Sequence, residues 1–232
     1  MLIHLVWIGQ FLHLCVWWSV FIFVPVSFQI HLNMKEKLYM NENLLEVLNK
    51  VMDSNDTTVG GGSASALSGA MAAGMIGMVA KLSKKNPVNF TVEQYDQIAQ
   101  ECDSLMEQLR EGCIRDTEAY CMIVDAFRMP KGSDEEKAAR SAAVQAAAIR
   151  AAEVPRDNAY LNARVHELGS MLKGNSNPAC LSDLTSALYL SAGGVKDCVL
   201  NIQANLGMIK DEKVCMALKD SMLELLLKAI CY

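Results

Sequence analysis

One stretch of small residues limits what this chain can fold into more than any other feature. Residues 60–83 begin with three glycines and continue mainly as glycine, alanine and serine, with no charge until Lys81. Gly69, Ala73 and Gly77 recur at four-residue steps, a spacing that lets another helix approach closely. We predict a buried central helix here. A membrane span is the alternative, but small residues outnumber Leu and Ile.

The three glycines at the start of this stretch predict a loop that faces a ligand. Consecutive glycines cost conformational entropy, so a fold that keeps them needs positive φ or a close approach to the backbone. We expect Ser63 to cap the following helix and the first-turn N–H groups to face a carboxylate or phosphate. A tight turn that binds nothing is the alternative. The spacing matches neither the dinucleotide-binding nor the Walker A pattern.

The rest of the chain is patterned for helices. Apolar residues recur at helical spacing from Asn41 onward, and strand-like alternation between hairpin turns does not occur. Capping boxes that begin at Thr91 and Ser133 mark two helix starts, and Pro155 is expected to kink or interrupt a later helix. We predict an all-α, single-domain helical bundle over residues 34–232, with tight helix pairing and a homodimer interface.

Charge divides the chain into two parts. Residues 1–33 contain no Lys, Arg, Asp or Glu, so the 21 basic and 26 acidic side chains, and the net charge of −5, belong to the remainder. That remainder has no basic stripe with interleaved aromatics, which argues against a nucleic-acid partner. The apolar segment is long enough to span a bilayer but lacks the basic start and cleavage site of a signal peptide. We interpret it as an overextended start before Met34, with a membrane anchor as the alternative, and expect a cytoplasmic protein.

Cysteine and histidine usage argues against a metal site. The eight cysteines include no C-x-x-C pair, and most lie in apolar, helix-like contexts where a free Cys behaves as a small core residue. We therefore predict a reducing compartment and no metal. Three of the four histidines lie in residues 1–33. The fourth, His166, stands among charged residues, which predicts a solvated face.

Asp116 is the most informative carboxylate. Its spacing from Cys113 and Tyr120 puts it on or near a buried helix stripe, where an unpaired carboxylate would be costly. We expect a partner or a ligand for it, and an ion pair with Arg115 or with a lysine is the alternative.

Three further polar residues lie in the region that follows. Asp183 is close to a helix start, where the default role of Asp is to interact with the helix dipole. Asn201 and Asn205 lie inside an apolar helix and need hydrogen-bond partners if they are buried.

Five segments in series resemble the formiminotetrahydrofolate cyclodeaminase and methenyltetrahydrofolate cyclohydrolase family. They are residues 60–70, 116–120, 152–155, 174–183 and 195–201. The likeness covers about residues 41–229. The chain departs from the family at Val59, where proline is usual, and residues 1–33 have no counterpart there. The formiminotransferase half of the bifunctional animal enzymes is also missing.

The resemblance implies an all-helical homodimer whose substrate is a tetrahydrofolate derivative and which uses no other cofactor. In the cyclodeaminase reaction, N10 attacks the formimino carbon on N5, ammonia leaves, and 5,10-methenyltetrahydrofolate forms. In the cyclohydrolase reaction, water attacks that methenyl carbon and opens the ring to 10-formyltetrahydrofolate. The resemblance does not distinguish the cyclodeaminase activity from the cyclohydrolase activity.

The same resemblance implies roles for individual residues. Asp116 and Asp183 are candidates for holding the pterin or for acid–base catalysis. The residues expected to bind the folate are Gly60, Gly61, Gly62, Ser63, Asn175 and Asn201. The lysines that could meet its glutamate tail are Lys81, Lys84 and Lys85. The rival interpretation is a non-catalytic helical dimer that keeps the fold as a scaffold or binding module. The enzyme interpretation requires that Asp116, Asp183 and the glycine loop meet at one pocket. If they lie on separate surfaces, the scaffold interpretation is favoured.

Overall fold

Six α-helices make up most of the described chain. The computed structural model describes residues 42–56 and 59–230, and no strand occurs among them. The helices, numbered in chain order, are α1 (Glu42–Met52), α2 (Gly61–Ser83), α3 (Val92–Arg128), α4 (Asp134–Met171), α5 (Leu181–Leu206) and α6 (Glu212–Ile230). A short 3₁₀ turn, Pro178–Cys180, precedes α5. The predicted all-α class is confirmed.

Backbone contacts divide the chain into two units, Met1–Leu45 and Glu46–Tyr232. The second unit contains helices α2 to α6, which form the bundle. The first unit falls almost wholly in residues 1–41, which lie outside the described residues. The predicted division into residues 1–33 and 34–232, and with it the interpretation of the apolar segment, therefore stays a prediction.

Helix α2 lies at the centre of the bundle and packs against α3, α4 and α5. More than half of its 23 residues are buried, which confirms the predicted buried central helix. By length and composition alone, α2 is also the one helix in the described part of the chain that could cross a membrane. Contacts of Gly62 with Asp116 and of Lys81 with Asp103 show that α2 and α3 run antiparallel. The start of α2 therefore faces the second half of α3.

Both predicted capping boxes are present. The Thr91 hydroxyl accepts from the Gln94 amide, and the Gln94 side chain accepts in return from the amide of Thr91. Ser133 and Glu136 form the same pair of bonds at the start of α4. These side chains satisfy N–H groups that a helix start otherwise leaves without partners.

Pro155 lies inside an unbroken helix. Helix α4 is continuous from Asp134 to Met171 with this proline inside it, so the predicted interruption is wrong. A proline has no N–H, and the carbonyl four residues earlier, that of Ala151, loses its usual donor. The side-chain amide of Asn205 on α5 donates to this carbonyl at 3.0 Å. A neighbouring helix thus supplies the missing hydrogen bond.

Candidate active site at the start of helix α2

The glycine loop begins α2 without a side-chain cap. Gly60 is the N-cap residue in an extended conformation (φ −136°, ψ −151°), and no side chain caps the helix. Ser63 is the third residue of α2, so the prediction that it serves as the N-cap is wrong. The first-turn N–H groups of a helix have no partner within the helix. Here they lie at the wall of a cavity that Gly60, Gly61 and Gly62 help to line.

The glycines allow a close approach of side chains rather than a left-handed backbone. Among the described residues, positive φ occurs at Gly174 and not in this loop. A Cβ atom added to Gly62 would lie 2.2 Å and 2.5 Å from the two carboxylate oxygens of Asp116. A Cβ on Gly61 would lie 3.3 Å from Nδ2 of Asn201. Gly62 therefore leaves the space that the Asp116 carboxylate occupies.

Ser63 holds the carboxylate of Asp116 in this position. Its hydroxyl donates to Oδ2 of Asp116 at 2.9 Å and lies 3.2 Å from the Cys113 carbonyl oxygen. The Thr117 hydroxyl is also 3.2 Å from the Ser63 hydroxyl. Ser63 is fully buried, so solvent does not compete for these bonds. The partner expected for Asp116 is thus a serine hydroxyl on the central helix.

The pKa of Asp116 is raised, and two opposing effects set it. Burial disfavours the charged carboxylate and raises the pKa, whereas hydrogen bonds from the side chain and backbone of Ser63 lower it. The first effect is the larger. A raised pKa makes a carboxylate a stronger base than an ordinary aspartate, which suits it to proton transfer.

The cysteines near the site do not supply a thiolate. Burial raises the pKa of Cys113 and of Cys198 to about 12, so both remain thiols at neutral pH. Cys102, further along α3, is raised to about 12 by the same cause. In the described chain, no three His, Cys, Asp or Glu side chains form a group that could hold a metal ion.

The cavity beside Asp116 has a volume of about 150 Å³. Helices α2, α3, α4 and α5 all contribute to its walls. The lining residues are Gly60, Gly61, Gly62, Asp116, Tyr120, Ile123, Ala151, Asn201 and Asn205. The Asn201 amide donates to the Asp197 carbonyl at 2.7 Å, and the Asn205 amide donates to the Asn201 carbonyl at 2.9 Å. These bonds fix both amides along the edge of α5 that faces the cavity.

Of the residues predicted to form the site, those of the glycine loop lie with Asp116 and Asn201. Asp183 does not join them within one chain. It lies in the first turn of α5, 18 residues before Asn201, and a helix rises about 27 Å over that length. Asn175 lies at that distant end too, where its amide donates to the Met171 carbonyl and its Oδ1 accepts from Asn89. The site roles of Asp183 and Asn175 stay predictions.

The lysines at the end of α2 are also far from the cavity. Lys81 forms a salt bridge with Asp103 at 2.8 Å, and Lys84 forms one with Asp96. Because α2 has 23 residues, its two ends are about 33 Å apart. Within one chain these lysines cannot serve a ligand bound beside Gly62.

The prediction for His166 is wrong. The side chain is buried against α5, where Nδ1 lies 3.0 Å from the Ser191 hydroxyl. Burial lowers the pKa of the imidazole, so the neutral form is favoured. The charged neighbours Arg164 and Glu167 pair with each other at 2.8 Å on a partly exposed face. The charged residues beside His166 in the sequence therefore indicate an exposed face of α4, whereas the His166 side chain itself packs against α5.

Sequence reasoning did not assign Tyr120, Ile123 or Ala151 to the site, and Asn205 was noted only as an amide that needs a partner. A signal for two of them was present. Tyr120 follows Asp116 by four residues, and Asn205 follows Asn201 by four, which places each pair on one helix face. Ile123 and Ala151 carry no polar atom that would distinguish them from core residues.

The fold and the site together define a class of protein: an all-helical bundle with a mostly buried carboxylate at the wall of a cavity. Comparison with known proteins gives the family. The model of the family described as formiminotransferase-cyclodeaminase matches residues 44–224, and the chain belongs to this family.

Two relatives illustrate the range of this family. A methenyltetrahydrofolate cyclohydrolase from Methylorubrum extorquens is 32% identical over 154 residues, which cover 66% of this chain and 74% of that protein. A formimidoyltransferase-cyclodeaminase from Gallus gallus is 30% identical over 161 residues, which cover 66% of this chain and 29% of that longer protein.

A solved structure shares the fold. The crystal structure of formiminotetrahydrofolate cyclodeaminase from Thermotoga maritima superposes with a TM-score of 0.70 at 22% sequence identity. The match covers 82% of this chain and 90% of that one. It supports the helical architecture described above.

Proposed function

We propose that this chain is a folate one-carbon enzyme that acts on the carbon joining N5 and N10 of tetrahydrofolate. The reaction is hydrolysis of 5,10-methenyltetrahydrofolate or cyclisation of 5-formiminotetrahydrofolate with release of ammonia. The observation that carries the proposal is the position of Asp116: a mostly buried carboxylate, bonded to Ser63 and seated on Gly62, at the wall of the cavity. The two relatives named for these activities support it.

A single carboxyl group can carry the proton transfers of either reaction. In the hydrolysis, the Asp116 carboxylate takes a proton from the water that attacks the methenyl carbon and returns it to N5 as the C–N5 bond breaks. The proton of the resulting carbinol hydroxyl is released to solvent as the formyl C=O forms. In the cyclisation, N10 attacks the carbon of the protonated formimino group, and Asp116 takes the N10 proton and delivers it to the resulting amino group, which leaves as ammonia. Both reactions pass through a carbon with cationic, amidine-like character, which a nearby carboxylate stabilises. Neither needs a redox group or a metal, so we propose no cofactor besides the folate substrate.

The other residues of the cavity position the substrate. The amides at Gly60, Gly61 and Gly62 are donors for polar or anionic groups of the folate, and the helix dipole adds positive potential there. Asn201 supplies an amide next to Gly61. We further propose a cytoplasmic homodimer, with membrane association only if residues 1–33 form a genuine anchor.

The methenyl chromophore gives a direct test. Protein begun at Met34 is supplied separately with 5-formimino- and 5,10-methenyltetrahydrofolate while absorbance is followed. Appearance of the chromophore with ammonia release identifies the cyclodeaminase, and accelerated loss of added methenyl compound identifies the cyclohydrolase. A rate no greater than that of a protein-free control for both substrates overturns the proposal and favours the non-catalytic scaffold.

A further inference from the structure

A second cavity, of about 470 Å³, lies where the turn between α3 and α4 meets the turn between α5 and α6. Four of its nine lining residues are cationic and none is acidic. The cations are Lys131, Lys137, Arg140 and Lys210; the other residues are Phe127, Ser141, Val144, Gln145 and Met208. The chain as a whole carries a net charge of −5, so this cluster runs against the average charge.

Hydrogen bonds hold the walls of this basic cavity in place. The Gln145 side chain donates to the Met208 carbonyl at 2.8 Å and accepts from the Lys210 amide at 2.8 Å, which ties the α5–α6 turn to α4. The Arg140 side chain donates to the Phe127 carbonyl at 3.2 Å, and its guanidinium carbon lies 5.4 Å from the centre of the Phe127 ring. The Arg140 guanidinium is thus held at the cavity by bonds to a neutral partner.

The nearby carboxylates are already engaged. Asp134 pairs with Lys137 at 2.9 Å, Glu136 accepts from the Ser133 amide in its capping box, and Asp211 accepts from two amides at the start of α6. Within the described chain, the salt bridges include none from the other three lining cations. An anionic ligand would therefore find positive charge that acidic side chains do not neutralise.

The basic cavity lies close to the Asp116 cavity, because residues of the same three helices line both. On α3, Phe127 follows Ile123 of the first cavity by one turn, or about 6 Å. On α4, Val144 precedes Ala151 by about 10 Å. On α5, Asn205 is followed directly by the turn that carries Met208. The two cavities are therefore separated by a distance that a single extended ligand can span.

We propose that the basic cavity binds the carboxylates of the γ-linked glutamates in a polyglutamyl folate whose one-carbon bridge lies beside Asp116. This inference rests on the proposed function. A folate carries its reactive N5–N10 bridge at one end and a glutamate, extended in polyglutamates by γ-linked residues, at the other. Each added residue contributes one carboxylate. Lys131, Arg140 and Lys210 provide matching cations, whereas Lys81 and Lys84 are paired with aspartates at the far end of α2.

The test compares substrates that differ only in the tail. The double variant Lys131→Gln/Lys210→Gln and the wild type are assayed with the monoglutamyl and pentaglutamyl forms of the active substrate. Because an exposed charge pair contributes a factor of about two to five, we expect the KM for the pentaglutamyl form to rise about five- to tenfold. The KM for the monoglutamyl form should change less than about twofold and kcat should not change. Raising the salt concentration should reduce the preference of the wild type for the longer tail.

The matched control is Lys219→Gln/Lys228→Gln, which removes the same charge from exposed positions on α6 outside both cavities. It should leave both KM values unchanged. Equal KM changes for the two substrates in the cavity variant would overturn the tail site, as would no change in either. Relief of the tail preference by inorganic phosphate below millimolar concentration would instead identify a free-phosphate site and also overturn it.

Failure of the proposed function is recognised separately. If the wild type catalyses neither reaction, binding of mono- and pentaglutamyl 5-formyltetrahydrofolate is measured by titration calorimetry. Tighter binding of the pentaglutamyl form that the cavity variant loses would support the tail site without catalysis. Equal binding of the two forms by the wild type would overturn it.

Discussion

At the scale of single residues, the site depends on a carboxylate placed where it is unfavourable. Asp116 is mostly buried, and its hydrogen bonds come from one residue, Ser63. Burial raises the pKa more than these bonds lower it. The position therefore favours proton transfer but costs folding free energy whenever the carboxylate is charged.

The first prediction concerns Asp116→Asn. The amide cannot exchange the proton, so activity should fall about a hundred- to ten-thousand-fold. The variant should also be more stable at neutral pH. Between the ordinary Asp pKa and the raised one, the folded state holds more protons than the unfolded state, so wild-type stability falls as pH rises. The gain in the variant should be absent below the ordinary Asp pKa and reach a plateau above the raised one.

Thermal unfolding at several pH values and the methenyl absorbance assay test both effects. For a chain of this size, each kcal/mol gained raises the melting temperature by about 2–4 °C. Asp125→Asn is the control, because Asp125 lies on the same helix but is exposed beside Arg128. This control should change activity and the melting temperature no more than a typical substitution at an exposed position does. An Asp116→Asn protein with wild-type activity would contradict the assignment.

The second prediction concerns Ser63→Ala. Its hydroxyl bond lowers the pKa of Asp116, so removing it should raise that pKa further. The limb of the pH–rate profile that reports Asp116 should move to higher pH whichever role the group has. A limb that rises with pH identifies the carboxylate as the base, and one that falls identifies the acid.

Ser83→Ala is the matched control for this shift. Ser83 is also fully buried on α2, but its hydroxyl donates to the Val79 carbonyl at the other end of the helix. The control should lose some stability, as expected for a buried hydroxyl, without moving the limb. A shift of equal size in both variants would show that the profile does not report the Ser63–Asp116 bond.

At the scale of helices, the small residues of α2 and α5 make room for a buried amide of α4. Asn162 is fully buried, and its Nδ2 donates to the Asn158 and Ser65 carbonyls at 3.0 Å and 3.3 Å. A Cβ added to Gly69 or to Gly194 would lie 2.2 Å from its Oδ1. The close helix approach predicted from the glycine spacing therefore has a specific cause: three helices pack around one asparagine.

The third prediction uses two adjacent glycines of α5. Gly194→Ala should lower the free energy of unfolding by about 1–3 kcal/mol, because the new methyl group collides with Asn162. Gly193→Ala should raise it by about 0.5–1 kcal/mol, because no atom lies within 4 Å and alanine favours the helix. Urea unfolding of both variants measures the difference. Equal destabilisation would mean that any side chain at this level of α5 disturbs the packing.

The helices also show what local sequence determines. Thr91 and Ser133 were predicted as helix starts because a capping box forms between residues three apart, so its whole cause lies in the local sequence. The interruption predicted at Pro155 and the exposure predicted for His166 are wrong because contacts with another helix, α5, determine both. Asn205 replaces the lost proline donor, and Ser191 receives the histidine. Neither partner is near in sequence.

At the scale of the whole molecule, the bundle separates the predicted site residues into two groups. Spacing correctly put Asp116 on a buried face and singled out Gly60, Gly61, Gly62 and Asn201, which meet at one cavity. It could not show which helix ends meet. Because α5 runs the length of the bundle, its first-turn residue Asp183 and its late residue Asn201 lie about 27 Å apart.

The predictions of a homodimer and of a catalytic Asp183 therefore depend on each other. Within one chain, Asp183 is too far from the cavity to touch a ligand beside Asp116. A second copy that placed its α5 start against this cavity would bring the carboxylate there. In that case each site would take Asp116 from one chain and Asp183 from the other. Asp183→Asn should then reduce activity without changing folding, and sedimentation velocity should show a dimer.

The fourth prediction follows from such sharing. Asp116→Asn and Asp183→Asn chains are each inactive, but refolding them together produces mixed dimers with one intact site. Random assortment then restores about a quarter of wild-type activity. Mixing Asp116→Asn with Gly62→Ala is the control: both changes affect the same side of the site, so no mixed dimer has an intact one and activity should stay absent. If Asp183→Asn alone keeps full activity, Asp183 interacts only with the dipole of its own helix, and the Asp116 cavity carries the chemistry within one chain.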